Sequence, residues 1–261
     1  MINNEFINIE KRRLETLENE EFKKLMENLG IKHLFTTKNF GHIDIDDTEV
    51  FRKIAKTLNI YDLKIVFAGQ PHGKEICLVD GNQKIMYGYD GLFTEEKNVA
   101  LVIRSADCLP ILISAIYYND NDKTPKIIGA LHAGRRGLVD GIIEVAIDFL
   151  LKRGFNQQNI YFLIGPHICG KCYDLERDNE QTINLINQVG KQYFRFEHEQ
   201  VFFDMLNLAK DQILNKNIPE KNIYQIPICT YENSLLFPSY RYNKKHEIKN
   251  SLFGSIICIR N

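Results

Sequence analysis

Between Ile65 and Ile116 the chain is a succession of short apolar runs cut by Gly and Asp, and this constrains the fold more than any other feature. The runs read KIVFAG, KEICLV, NVALVIRS and LPILISAIY, and each is too short for a helix and rich in β-branched residues. Lys126 to Leu131 is a further Ile-rich run, and it leads into HAGRRG. Ile160 to Ile164 predicts another strand, stopped by Gly165-Pro166, and Gly254 to Ile259 a closing one. His33 to Thr37 predicts a strand nearer the start, and Phe6, Ile7 and Ile9 a short one before it. Helical spacing of apolar residues predicts helices over Glu20–Leu29, Asp47–Leu58, Leu138–Leu151, Glu180–Phe194 and Asp204–Ile213.

Helices and strands are mixed without strict βαβ alternation, so the expected class is α+β, with mixed sheets packed in layers with helices. No internal repeat or linker divides residues 1–261, which predicts a single domain, with 1–32 its least informative part. A hydrophobic fraction of 44% is enough to fill a core without disulfides or metal. The 33 basic and 34 acidic residues nearly cancel, which argues against nucleic acid as a partner. No apolar run reaches membrane-spanning length, and Met1 to Arg13 lacks the apolar stretch of a secretory signal. Six scattered cysteines then read as reduced thiols of a cytoplasmic protein.

Three segments carry groups that can do chemistry: Gln70-Pro71-His72-Gly73, Arg104 to Pro110 around Cys108, and Leu131 to Gly137 around His132. Each lies where an apolar strand gives way to a loop, a place where a rigid element holds a group beside open space. Two imidazoles and a thiolate suit Zn²⁺, and three protein ligands leave a fourth position for water or substrate. Spacings of 24 to 36 residues match no short metal pattern, so spacing alone is a weak signal. Arg104, Arg135 and Arg136 lie in the same segments, and guanidinium forks match the oxygens of an anion. Asp107 is a candidate acid–base group, or an acceptor orienting His72 or His132. His167, Cys169 and Cys172 form H-x-C-x-x-C. With no second CxxC and no thioredoxin-like context, they read as pocket-lining or structural. His33, His42, His198 and His246 read as solvated, and Cys77, Cys229 and Cys258 as small core residues.

The runs DGLFTEEKNVALVIRSADCLPILI, IIGALHAGRRGLVDGII, IGPHICGKCYDL and NIYQIPICTYENSLLFPSYR together resemble the laccase-domain (polyphenol oxidase) family, over roughly residues 33–261. The resemblance implies a laccase-domain fold, like that of cytotoxic necrotising factor. It implies metal ligands at His72, Cys108 and His132, with Zn²⁺ the expected ion and Cu²⁺ an alternative. It implies purine nucleoside phosphorylase and adenosine deaminase activity, with a nucleoside and phosphate as small-molecule partners, and this makes Arg104, Arg135 and Arg136 candidate phosphate ligands. The chain departs from the family pattern at Pro71 (usually Val), Arg135 (usually Trp) and Tyr242 (usually Arg). Its loop from Thr36 to Asp46 is short, with Lys38 where Arg is common, and Lys38 joins the three arginines as a substrate-binding candidate. A copper-dependent phenol oxidase is the alternative implied by the older family name. A Cys108–His132 hydrolase editing a peptidoglycan precursor is another, and a non-enzymatic binding protein a further one.

Overall fold

The computed structural model describes residues 14–117 and 126–261. The strand expected around Phe6 to Ile9 lies outside them. In chain order the elements begin with β1 (Thr16–Leu17), α1 (Glu20–Glu27), β2 (Ile31–Thr36), α2 (Thr48–Leu58) and β3 (Lys64–Ala68). Next come β4 (Ile76–Leu78), β5 (Ile85–Met86), β6 (Gly91–Thr94), β7 (Val99–Ser105), β8 (Leu109–Ile116) and β9 (Lys126–Ala133). There follow α3 (Arg135–Val139), α4 (Ile142–Lys152), β10 (Ile160–Ile164), β11 (Asp174–Glu176) and α5 (Glu180–Val189). The chain closes with β12 (Phe194–Glu197), β13 (Gln200–Phe203), α6 (Met205–Asn215), β14 (Ile223–Gln225), α7 (Tyr240–Lys245) and β15 (Phe253–Ile259).

Two six-stranded sheets dominate, in the orders β1-β2-β15-β7-β3-β5 and β14-β10-β8-β9-β6-β4. A small sheet β11-β13-β12 lies beside them. The period-2 alternation of strand side chains assigns the faces. In β7, Leu101 and Ile103 join the core shared by both sheets, while Ala100 and Val102 face α2 residues such as Ile54. In β8, Leu112 enters the shared core, while Ile111 and Ile113 pack with Ile143 and Ile147 of α4. The layers therefore run α2, first sheet, second sheet, then α4 with α6. Strands buried on both faces have no polar side, which is why they read as continuous apolar runs. The architecture is α+β, as the unsystematic mixing of helix and strand signals indicates.

Two helices differ from their sequence patterns, and glycine is the cause in both. The run from Leu138 to Leu151 is broken at Gly141, whose φ of 91° lies in the left-handed region, so α3 and α4 are separate. The pattern from Glu180 stops at Gly190, φ 97°, and Phe194 then starts a strand.

His33 is not solvated. It is 1% exposed, its Nε2 accepts from the backbone N–H of Asn19 at 3.0 Å, and Phe22 packs edge-on against it. Burial, with the Lys23 and Lys32 charges adding to it, lowers its pKa from 6.5 to about 3. The unfolded chain therefore binds a proton that the folded chain refuses. This contribution to stability is complete above the unfolded value and drains away as pH falls toward the folded one. Between pH 7.5 and pH 5 the loss from this residue is about 2 kcal/mol, at 1.36 kcal/mol per pH unit. Urea unfolding at the two pH values checks it: His33→Gln is expected to show a smaller drop than the unmodified chain.

Candidate metal centre

The ends of β3, β7 and β9 and the start of β8 meet at one end of the sandwich, where the chain crosses from the first sheet to the second. The loop after β3 carries His72, the β7–β8 turn carries Cys108, and β9 carries His132 two residues from Gly134. One ligand atom from each of the three lies within 4.8 Å of the others. The two imidazoles meet edge to face, with centroids 4.8 Å apart. Gly134 shows how tightly they converge. A Cβ there would lie 2.9 Å from His72 Cδ2, 3.3 Å from His132 Cε1 and 3.4 Å from Cys108 Sγ. Gly137 is equally constrained, since a Cβ would come within 2.2 Å of the Gly73 carbonyl oxygen.

Asp90 holds this arrangement together. Its carboxylate is fully buried, and Oδ1 accepts from His132 Nδ1 at 2.8 Å. The backbone N–H groups of His72 and Gly73 donate to the same carboxylate at 3.1 and 2.7 Å. With Nδ1 donating to Asp90, Nε2 of His132 is the nitrogen that faces Cys108 and His72, and on giving up its proton it has the tautomer a metal ligand needs. Burial works against an imidazolium at His132, but Asp90 and the Cys108 sulfur outweigh it and raise its pKa. Burial likewise raises the Cys108 thiol, but hydrogen bonds from His132 and His72 reverse this and bring it below its ordinary range. A sulfur that deprotonates readily beside two nitrogens is a donor set that can hold a metal ion.

The backbone is strained here. Gln70, His72 and Asp107 have φ of 59°, 64° and 88°, a region that non-glycine residues rarely occupy. Gln70 is fixed through its amide, which donates to the Arg104 carbonyl at 2.6 Å and accepts from the Arg104 N–H at 2.9 Å.

A family model described as multi-copper polyphenol oxidoreductase laccase matches residues 31–258. The chain belongs to this laccase-domain family. A purine nucleoside phosphorylase of Campylobacter jejuni is 31% identical over 183 residues, covering 69% of the chain and 73% of the relative. The purine nucleoside phosphorylase YlmD of Bacillus subtilis is 27% identical, with coverages of 79% and 82%. Among solved structures, the hypothetical protein YfiH of Bacillus licheniformis superposes with a TM-score of 0.74 at 24% identity, covering 90% of this chain and 94% of that one. YlmD of Geobacillus stearothermophilus gives a TM-score of 0.73 at 23% identity, with coverages of 89% and 93%. The laccase-domain fold expected from the motifs is thus the observed one.

The laccase-domain centre opens into a cleft of about 810 Å³. Four arginines line it, Arg104, Arg135, Arg136 and Arg241, against one acidic residue, Asp107. Arg104 is half-buried, and its Nε has no hydrogen-bond partner among the described residues. Arg136 is already engaged: Nε and Nη2 donate to the carbonyls of His72 and Pro71, both at 3.0 Å. Asp107 is also engaged, accepting from Thr230 Oγ1 and from the Arg241 N–H, both at 2.7 Å. It orients neither imidazole, since the contact to His132 comes from Asp90. Lys38 lies off the cleft, where its ammonium donates to the Ser234 carbonyl at 2.6 Å.

Asp90, Arg241 and Tyr173 belong to the site without a local sequence signal that marks them. Asp90 sits in YGYDGLF, which reads as a turn, and nothing local marks its carboxylate as buried. Arg241 was visible in the run PSYRY, but its place beside Asp107 depends on a contact 134 residues away. Tyr173 also lines the cleft, and burial above all raises its pKa, so its hydroxyl remains a neutral donor.

Proposed function

We propose that the chain is a zinc-dependent purine nucleoside phosphorylase, taking adenosine, inosine and methylthioadenosine, with adenosine deamination as a further activity of the same cleft. The observation that carries this reading is the pairing of a His–Cys–His donor set with an arginine-lined cleft. The names of the relatives point the same way. His72, Cys108 and His132 would hold the ion, which when bound supplies a Lewis acid at the floor of the cleft.

In phosphorolysis an oxygen of phosphate attacks C1′ of the nucleoside, and the C1′–N9 bond breaks. The electron pair leaves with the purine, which then takes up a proton, and positive charge develops on the ribose in passing. Arg104 and Arg135 have the charge and fork geometry to gather phosphate and aim it, while Arg241, whose Nη1 donates to Asp174 at 3.0 Å, adds positive charge beside them. Arg136 holds the His72 loop through two carbonyls instead of offering its fork. Asp107, with both oxygens occupied, fixes the start of α7, and with it Arg241. Tyr173 offers a neutral hydroxyl to a sugar or base. A phenol oxidase using several coppers needs more imidazoles than this centre gathers, and the chain has only seven histidines.

One observation favours a second reading. Cys108, His132 and Asp90 stand in the order nucleophile, base, orienter, as in a thiol hydrolase acting on an amide of a cell-wall precursor. Two imidazoles around one sulfur fit a metal better, since a nucleophile requires one base.

The deciding measurement is product analysis with inosine and adenosine, with and without phosphate. Ribose 1-phosphate formed only with phosphate, and lost on chelation, is the expected result, and inosine from adenosine would report deamination. Free ribose released equally with and without phosphate would overturn phosphorolysis.

A further inference from the structure

At the same end of the second sheet, β10 and β14 run parallel and each continues into a loop. The loop after β10 carries Cys169 and Cys172, and that after β14 carries Cys229 and Glu232. The two loops are joined at a bridge between His167 and Cys229, and the Thr230 N–H donates to the His167 carbonyl at 3.0 Å. This brings together three sulfurs and a carboxylate, with one ligand atom of each within 4.8 Å of the others. No residue of this group belongs to the cleft described above.

We propose that Cys169, Cys172, Cys229 and Glu232 form a second, structural metal centre for a zinc-like divalent ion. The ligand number and type are those of a closed tetrahedral site, with three soft sulfurs and one oxygen. Zn–S bonds of about 2.3 Å place tetrahedral sulfurs about 3.8 Å apart, so closing the cluster requires only small side-chain movements. The C-x-x-C segment is folded as a thiolate knuckle. Cys172 N–H and Tyr173 N–H both donate to the Cys169 carbonyl, at 3.0 and 3.1 Å, turning both sulfurs to one side. The Cys169 N–H donates to Cys229 Sγ at 3.3 Å, which holds the third sulfur against the knuckle. Cys229 is buried, Cys169 and Cys172 are partly buried and Glu232 is exposed, so the cluster has a dry floor and an open entrance. Binding would release three thiol protons to solvent as three S–metal bonds form. A disulfide would use two of the sulfurs and leave the third, and the carboxylate, without a role.

Such an ion staples two segments that flank the first centre. Ile168, next to Cys169, donates its N–H to the Asp107 carbonyl at 3.0 Å, and Thr230, next to Cys229, bonds the Asp107 carboxylate. The second centre stands whether or not the cleft performs phosphorolysis.

Cobalt titration of the full-length, reduced chain tests it, together with metal analysis of the protein as purified. The expected content is two ions per chain, one per cluster. Cys108→Ser, which disables only the first centre, is expected to keep one ion. It should also keep roughly three-quarters of the thiolate-to-cobalt charge-transfer absorbance, since three of four thiolate bonds lie in the second centre. Cys172→Ser is expected to bind one ion and lose most of that absorbance. If Cys172→Ser fails to fold, the Cys108→Ser chain still decides. A Cys108→Ser chain that binds no cobalt overturns the proposal. So does an intact mass lower by two hydrogens and restored by reductant, which would assign a disulfide to the cluster.

Discussion

Asp90→Ala is expected to weaken metal binding by about 10- to 100-fold, the range over which outer partners of histidine ligands act. The residue touches no ion, so the effect passes through His132. Without the carboxylate, Nδ1 has no acceptor, the ring is free to rotate, and the proton can move to the nitrogen required for ligation. The substitution also removes the acceptor of two partly buried backbone donors, the N–H groups of His72 and Gly73. At about 0.5–1.5 kcal/mol for each hydrogen bond lost, the loop that carries His72 loosens together with the ring. Asp90→Asn separates these contributions. Its carbonyl oxygen can still accept from one donor, while its amide group faces another donor, so stability is expected to recover more than affinity does. Competition with a chromophoric chelator measures the affinity, and urea unfolding of the metal-free chain measures the stability. Unchanged metal affinity in Asp90→Ala would show that packing alone orients the His132 ring.

What the sequence could and could not reveal follows from how local each feature is. The doubly buried strands were legible because burial on both faces erases the polar alternation, and NVALVIRS and LPILISAIY display this directly. The three ligand-bearing loops were legible as strand ends, and family resemblance put His72, Cys108 and His132 forward together. Asp90 was not legible because its meaning lies in a partner 42 residues away. Cys229 reads as a small apolar residue in IPICTY, and only the β10–β14 pairing delivers it to the C-x-x-C turn. His33 looked solvated because Lys32 precedes it, yet the strand turns Lys32 to one face and His33 to the other. The two overextended helices failed at glycines, each of which occupies a left-handed conformation that propensity averaged along a window does not register.

His72→Asn is expected to abolish turnover by separating a metal centre from a thiol nucleophile at the same three residues. Replacing Cys108 cannot do this, because both mechanisms require its sulfur. His72 can, because the two readings disagree about its purpose. In the metal reading it is one of three ligands, and its loss should cost more than the roughly 100-fold at the upper end for an outer partner. Activity then falls with the metal, by at least two orders of magnitude at about 1.36 kcal/mol per tenfold. In the nucleophile reading His132 is the base and Asp90 its orienter, so a chain lacking His72 still has its triad and should retain most of its kcat/KM. Asparagine suits the test because it tolerates the left-handed backbone found here, φ 64°, better than most residues. His72 is also exposed, so stability should move by only about 0.5 kcal/mol, the usual range for a surface change. Metal content, thermal unfolding and kcat/KM for inosine, taken on one preparation, complete the comparison. Joint loss of metal and activity in a folded chain supports the metal centre, whereas full activity in a metal-free His72→Asn chain would transfer the chemistry to the Cys108 thiolate.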